Sequence, residues 1–150
     1  MSLKQCFKGS LDVPLIPYGR RVHKTIAATA GNVTTYFSPG AGKRWLIHCG
    51  RVTLVTDGTV ANRQILLEVN DGTNIVQRFP TNSDAIAASL TRSISFQNVA
   101  GGVGVGAIDR AHISLGSVVL EGLDQFKVIV LNGQAGDSYS GHFVLMEYDV

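Results

Sequence analysis

The chain has 150 residues, 45% of them hydrophobic and 16% charged, with a formal net charge of +2. That length suits one domain with a sizeable core, the small charge gives no general basis for nucleic-acid binding, and no run approaches the ~18 apolar residues of a membrane-spanning helix. Seventeen glycines and four prolines, with few helix-forming runs, point to many turns and an all-β chain.

The charge is unevenly placed. In residues 1–24, Lys4, Lys8, Arg20, Arg21 and Lys24 stand against Asp12, a balance of +4, while the rest carries eight Lys/Arg and ten Asp/Glu, a balance of −2. Residues 1–21 read as an extended basic arm, kept irregular by Pro14 and Pro17, and residues 22–150 as a β-sandwich domain. Lys4, Lys8, Arg20 and Arg21 are the candidate docking residues of that arm, which could equally be a solvated leader. The apolar stretch 11–18 is broken by the same prolines and does not read as a secretory signal. Cys6 and Cys49 lie far apart, so no structural disulfide is expected, which fits a reducing cytosol.

In chain order, Val22 to Thr29 reads as a first strand and Gly31-Asn32 as a turn. Thr34 to Ser38 reads as a short aromatic strand closed by the loop Pro39-Gly40-Ala41-Gly42. Residues 42–70 read as two long strands joined around Asp57-Gly58. In the first, Trp45, Ile47 and Cys49 share an apolar face, and the switch of parity before Val52 asks for a β-bulge near Gly50. In the second, Ile65, Leu67 and Val69 alternate with Gln64 and Glu68, the period of a half-buried strand.

Asp71-Gly72 is a hairpin signal leading into a strand over Ile75 to Phe79. Thr81 to Ser89 reads as a loop or short turn, and Leu90 to Gln97 as a strand. Ala100 to Ala107 reads as a glycine-rich loop, and Ile108 to Leu115 and Val118 to Leu120 as short strands. After Gly122-Leu123-Asp124, Phe126 to Asn132 reads as a strand, with Lys127-Val128-Ile129-Val130 a continuous buried run. The last strand, Ser140 to Tyr148, carries Phe143 and Leu145 on one face and Val144, Met146 and Tyr148 on the other. Both faces being apolar, these five residues form the candidate oligomer interface. Eight to ten strands with turns every 8–12 residues imply an antiparallel β-sandwich, jelly-roll-like, with an extended N-terminal leader.

The chemical constellations are weak. His23, His48, His112 and His142 fall on four different strands without ligand spacing, and no metal or cofactor is expected. Gly40-Ala41-Gly42-Lys43-Arg44 lacks the spacing and the following helix of a phosphate loop, and Gly102 to Gly106 lacks the strand-to-helix unit of a dinucleotide site. Ser140 and His142 share a strand face, a coincidence rather than a triad. Asp57, Glu68, Asp71, Asp109, Glu121, Asp124 and Asp137 sit mainly in turns, where acids usually serve turn geometry rather than glycoside hydrolysis. Tyr36, Phe37, Trp45 and Tyr139 could line a sugar site, although Trp45 on an alternating face reads as core. No catalytic residue is expected, and the chain does not read as an enzyme.

Three short motifs, Gly42-Lys43-Arg44-Trp45, Val60-Ala61-Asn62-Arg63 and Gln134-Ala135-Gly136-Asp137-Ser138-Tyr139-Ser140, resemble small virion proteins of tailed bacteriophages and prophages. The resemblance spans about residues 40–148 and leaves out the leader. It implies a β-sandwich made in the host cytoplasm and resident in the virion, acting as head decoration, cement, spike or fibre. Its implied partners are copies of itself, as a homotrimer, and virion proteins such as the major capsid protein, with no membrane and no nucleic acid. It assigns no catalyst, ligand or cofactor. A carbohydrate- or receptor-binding β-sandwich is the alternative.

Overall fold

The computed structural model describes residues 19–80, 85–97, 110–114 and 118–150. These form ten strands: β1 (Arg20–Ala30), β2 (Thr35–Phe37), β3 (Gly40–Val55), β4 (Gln64–Asn70), β5 (Ile75–Pro80), β6 (Thr91–Gln97), β7 (Arg110–Ser114), β8 (Val119–Gly122), β9 (Gln125–Leu131) and β10 (Ser138–Asp149). One sheet runs β1-β10-β3-β6-β7, and β8 shares with β6 the edge of the long strand β3; the other runs β2-β9-β4-β5. The two sheets make an all-β sandwich, with β1-β10-β3-β8/β6 facing β2-β9-β4-β5 in the strand order of a jelly roll. All pairings are antiparallel except β6 with β7, which run parallel.

The alternation read from the sequence supplies the core. Trp45, Ile47, Val52 and Leu54 from β3, Ile94 and Phe96 from β6, and Tyr139, Phe143 and Leu145 from β10 are buried against Ile65, Leu67, Val69, Phe126, Val128 and Val130 of the second sheet. At its centre the Phe96 and Phe143 rings stack with centroids 5.5 Å apart, and Phe126 meets Phe143 edge-on at 5.6 Å. Such offset and edge-on pairs add to simple area burial. Gly50 makes the room for them, since a Cβ there would lie 2.5 Å from the Phe143 ring and 2.6 Å from that of Phe96.

Several readings are corrected. Asp57-Gly58 does not close a hairpin: β3 and β4 lie in different sheets, and the segment between them is a crossover. Asp71-Gly72 does close one, between β4 and β5, with the Asp71 carboxylate accepting the N–H groups of Thr73 and Asn74. The bulge in β3 falls at His48, because Leu145 pairs with Ile47 and Val144 with Cys49. Cys49 therefore turns to the outer face beside Val144, as a free half-buried thiol. Pro39 to Gly42 is not wholly a loop, as β3 begins at Gly40.

The β4 strand is buried on both faces, because Glu68 on its outer side is covered by Arg78 at 3.0 Å and Lys127 at 4.0 Å. The β9 strand alternates buried and half-buried residues instead of being continuously buried. Arg20 and Arg21, read as part of the arm, lie in β1. Lys4, Lys8, Asp109, the glycine-rich loop 100–107 and most of the leader lie outside the described residues.

Candidate functional site

Two regions gather polar and charged side chains, and they differ in kind. The first sits at the end of the sandwich where β1 turns into β2, β3 crosses to β4 and β9 crosses to β10. Arg63, at the entrance to β4, is fully buried. Its Nε donates to Asp137 Oδ2 at 2.9 Å and its Nη2 to Asp137 Oδ1 at 3.0 Å and Asp57 Oδ1 at 2.7 Å. Its Nη1 donates to the carbonyls of Thr59 at 2.6 Å and Ala61 at 3.1 Å. These five contacts match the five N–H donors of a guanidinium. Asp137 in turn accepts the N–H groups of Asp57 at 2.9 Å and Gln134 at 2.7 Å, and its carbonyl accepts Gly31 N–H at 2.9 Å.

Burial pushes the Asp137 carboxyl up, but the Arg63 guanidinium and the N–H groups of Gln134 and Asp57 outweigh it and hold the group below its ordinary value of 3.8. Asp57 and Asp137 are turn acids, as read. What the sequence did not show is that one arginine takes both. Arg63 and Asp137 belong to two of the motifs that carry the virion resemblance, and they meet here as a bidentate pair. Thr59 donates its N–H and hydroxyl to the Asp57 carboxylate, so all four carboxylate oxygens of Asp57 and Asp137 and all three guanidinium nitrogens of Arg63 have partners.

The second region is the outer face of β1, β10 and β3. The candidate interface residues divide across β10: Phe143 and Leu145 are fully buried in the core, while Val144, Met146 and Tyr148 are half-buried on the outer side. Met146 pairs with Leu46, and Leu46 with Val119, which is 45% exposed. An apolar band thus crosses three strands, and the sequence reading had only its β10 part. Leu46 and Val119 each follow the alternation of their own strand, but only the register puts them in one row. Tyr148 packs beside the start of β1, where a Cβ on Gly19 would sit 2.6 Å from its ring.

Charge gathers at the same end of the sheet, with Arg44 and Glu121 on the outer face beside the band and Arg20, Lys43, Glu147 and Asp149 on the face that carries Trp45. Glu147 accepts from Trp45 Nε1 at 2.8 Å and from Arg20 Nη2 at 2.7 Å, with Lys43 Nζ 3.7 Å away. The Trp45 hydrogen bond, then that of Arg20, lowers the Glu147 pKa, and burial only partly opposes them. Lys43 also pairs with Asp149, and Arg44 with Glu121 at 2.6 Å. The Lys24 ammonium stands 4.7 Å from the Trp45 ring centroid. Trp45 itself is buried, as its alternation implied.

Beyond the band the face is polar. Arg51 donates to Ser93 Oγ at 2.7 Å, and Thr53 and Ser93 share a hydrogen bond of 2.9 Å. His142 does not engage Ser140. Its Nε2 lies 3.1 Å from His23 Nδ1 and its Nδ1 3.4 Å from Thr25 Oγ1. Sequence spacing could not bring these histidines together, because strands β1 and β10 come from opposite ends of the chain. Among the described residues no group of three or more His, Cys, Asp or Glu is placed to hold a metal ion.

Of the aromatics considered for a sugar site, Trp45 and Tyr139 are buried, Phe37 is half-buried, and Tyr36 is 62% exposed. The Tyr139 hydroxyl donates to the Val33 carbonyl at 2.8 Å and shares a second bond of 2.9 Å with the Thr35 hydroxyl, tying β10 to the start of β2.

No family model matches the chain, and no curated protein matches it. Among solved structures, dimeric latent PorU from Porphyromonas gingivalis is similar at 13% identity with a TM-score of 0.36. The match covers 88% of this chain and 13% of that one, so the chain spans a small fraction of the length of the protein it matches.

Proposed function

We propose that this chain is a non-enzymatic structural subunit of a phage particle, a jelly-roll module that assembles with copies of itself and docks on virion proteins such as the major capsid protein. The observation that carries this reading is the apolar band of Val144, Met146, Leu46 and Val119 on the outer face of a sheet whose inner face already fills the core. A sandwich sheet needs one apolar face, and a second one in mid-sheet is suited to a protein partner. The Arg44–Glu121 ion pair beside these apolar residues fits the polar rim of such interfaces. The acids weighed as catalysts and described here are engaged in turns or ion pairs: Asp57 and Asp137 with Arg63, Glu68 with Arg78, Asp71 and Asp124 within turns, and Glu121 with Arg44.

The alternative, a carbohydrate-binding module, would stack a sugar on exposed aromatics. Of the four considered, Tyr36 alone is exposed, which gives a single platform rather than a cluster. Mass spectrometry of density-purified particles from an induced lysogen carrying the gene tests the virion reading. Stoichiometric recovery of this chain with the major capsid protein supports it, and its absence from intact particles overturns it. Glycan-array binding that is lost in Tyr36→Ala would favour the alternative.

A further inference from the structure

We propose that His23 and His142 form a two-histidine site for a divalent transition-metal ion, Zn²⁺ or Ni²⁺, on the outer face of the first sheet. The two rings lie on neighbouring strands, where Thr25 pairs with His142 and His23 with Val144, so each imidazole reaches diagonally toward the other. Both residues are exposed, and their ring centroids are 5.3 Å apart. His23 Nδ1 and His142 Nε2 converge to 3.1 Å. Metal–nitrogen bonds of about 2.0–2.1 Å place two cis ligands about 2.9 Å apart at a right angle and about 3.4 Å apart at the tetrahedral angle. The observed separation falls between these, so an ion can replace the proton the two nitrogens otherwise share, with little ring movement.

Thr25 stands behind the site as a partner for the tautomer a metal needs. Its Oγ1 lies 3.4 Å from His142 Nδ1, and in the tautomer protonated there it is the acceptor, which leaves the Nε2 lone pair directed at His23. A polar group holding the far nitrogen of a ligating imidazole is the usual outer support of a metal site. The charged neighbours oppose a cation only weakly. Arg51, which pairs with His142, turns its guanidinium to Ser93 at 2.7 Å. Arg21, two residues from His23 on the same strand face, is exposed, where solvent and salt screen it. Two protein ligands leave the remaining positions to water.

Titration calorimetry of the tag-free full chain with ZnCl₂ and NiCl₂ at neutral pH tests this. The expected result is one ion per chain, with affinity lost about tenfold or more in His23→Asn and in His142→Asn alike, since each leaves a single imidazole without its chelate partner. His48→Asn, on the bulge of β3, should leave binding unchanged. Thr25→Val, which keeps both ligands, should weaken it by a smaller factor. Acidification should release the ion, because protons compete for the same lone pairs. Circular dichroism of each variant confirms that it is folded. No binding at millimolar metal, or binding that survives either histidine substitution, would overturn the site and leave a hydrogen bond between the two rings.

Discussion

The crossover end and the outer face of β1-β10-β3 draw on the same residue types and put them to opposite uses. At the crossover end a buried arginine is surrounded by two carboxylates and two carbonyls until no donor is free. On the outer face, apolar side chains stop half-buried and the Arg44–Glu121 pair beside them keeps its far sides in water. The first arrangement fixes where three chain reversals meet. The second leaves surface that the fold does not consume. A charged cluster by itself thus says little about function; whether its hydrogen-bonding capacity is filled is what separates scaffold from contact surface.

That comparison can be broken at the closed end first. Arg63→Ala is expected to cost about 3–5 kcal/mol in chemical denaturation, because it leaves two carboxylates facing each other beside a buried gap. Asp137→Ala should cost a similar amount, and the double variant far less than the sum of the two. A loss under about 1 kcal/mol in Arg63→Ala would show that the corner is decoration.

Trp45→Ala is expected to cost about 3–5 kcal/mol, the range for a large aromatic lost from a core. As the sole tryptophan, Trp45 should also emit as a buried indole in the native protein. Red-shifted, quencher-accessible emission would contradict its placement.

Acid acts with the same sign on Asp137 at the crossover end and on Glu147 near the far end of β10. The folded pKa values of Asp137 and Glu147 are lowered, so the stability they contribute is present above their ordinary values of 3.8 and 4.5 and is lost as pH falls through the folded values. Stability measured by denaturation should therefore be level near neutrality and drop below about pH 4. Asp137→Asn should be less stable at neutrality and show a shallower acid slope. An unchanged slope would mean that the carboxylate is not held by Arg63.

The smallest effect is expected at the exposed end of the Arg20–Glu147 pair. Arg20→Ala removes an ion pair whose arginine is 74% exposed, and should change stability by less than about 1 kcal/mol.

The sandwich was legible in the sequence because its core follows period two: Ile65, Leu67 and Val69, and Trp45 and Ile47, needed no partner to be recognised as inward, whereas in the last strand, apolar on both faces, nothing separated Phe143 and Leu145 from Val144 and Met146. The sheet assignments were less so. Asp57-Gly58 has hairpin composition, yet the chain crosses between sheets there, because Asp57 is captured by Arg63 and Asp137, which lie 6 and 80 residues further on. The bulge was misplaced by two residues because Gly50 is conspicuous, although its role is to accommodate two phenylalanine rings. Of the apolar band only the β10 part was legible, and the histidine pair was not, since the rest exists only through the register of β1, β10, β3 and β8, which local spacing does not encode.

Light scattering coupled to size-exclusion chromatography on the intact protein and on Met146→Glu tests the central claim, that the outer face is kept for assembly. Met146 is half-buried and mid-strand, so a glutamate there should cost about 1 kcal/mol or less in the isolated subunit while placing a charge in the apolar band. The account predicts an intact protein with a mass of three subunits of 16.0 kDa at micromolar concentration, and a Met146→Glu variant that is folded and has the mass of one. An intact protein that runs as a single subunit, or a variant that assembles unchanged, would contradict it.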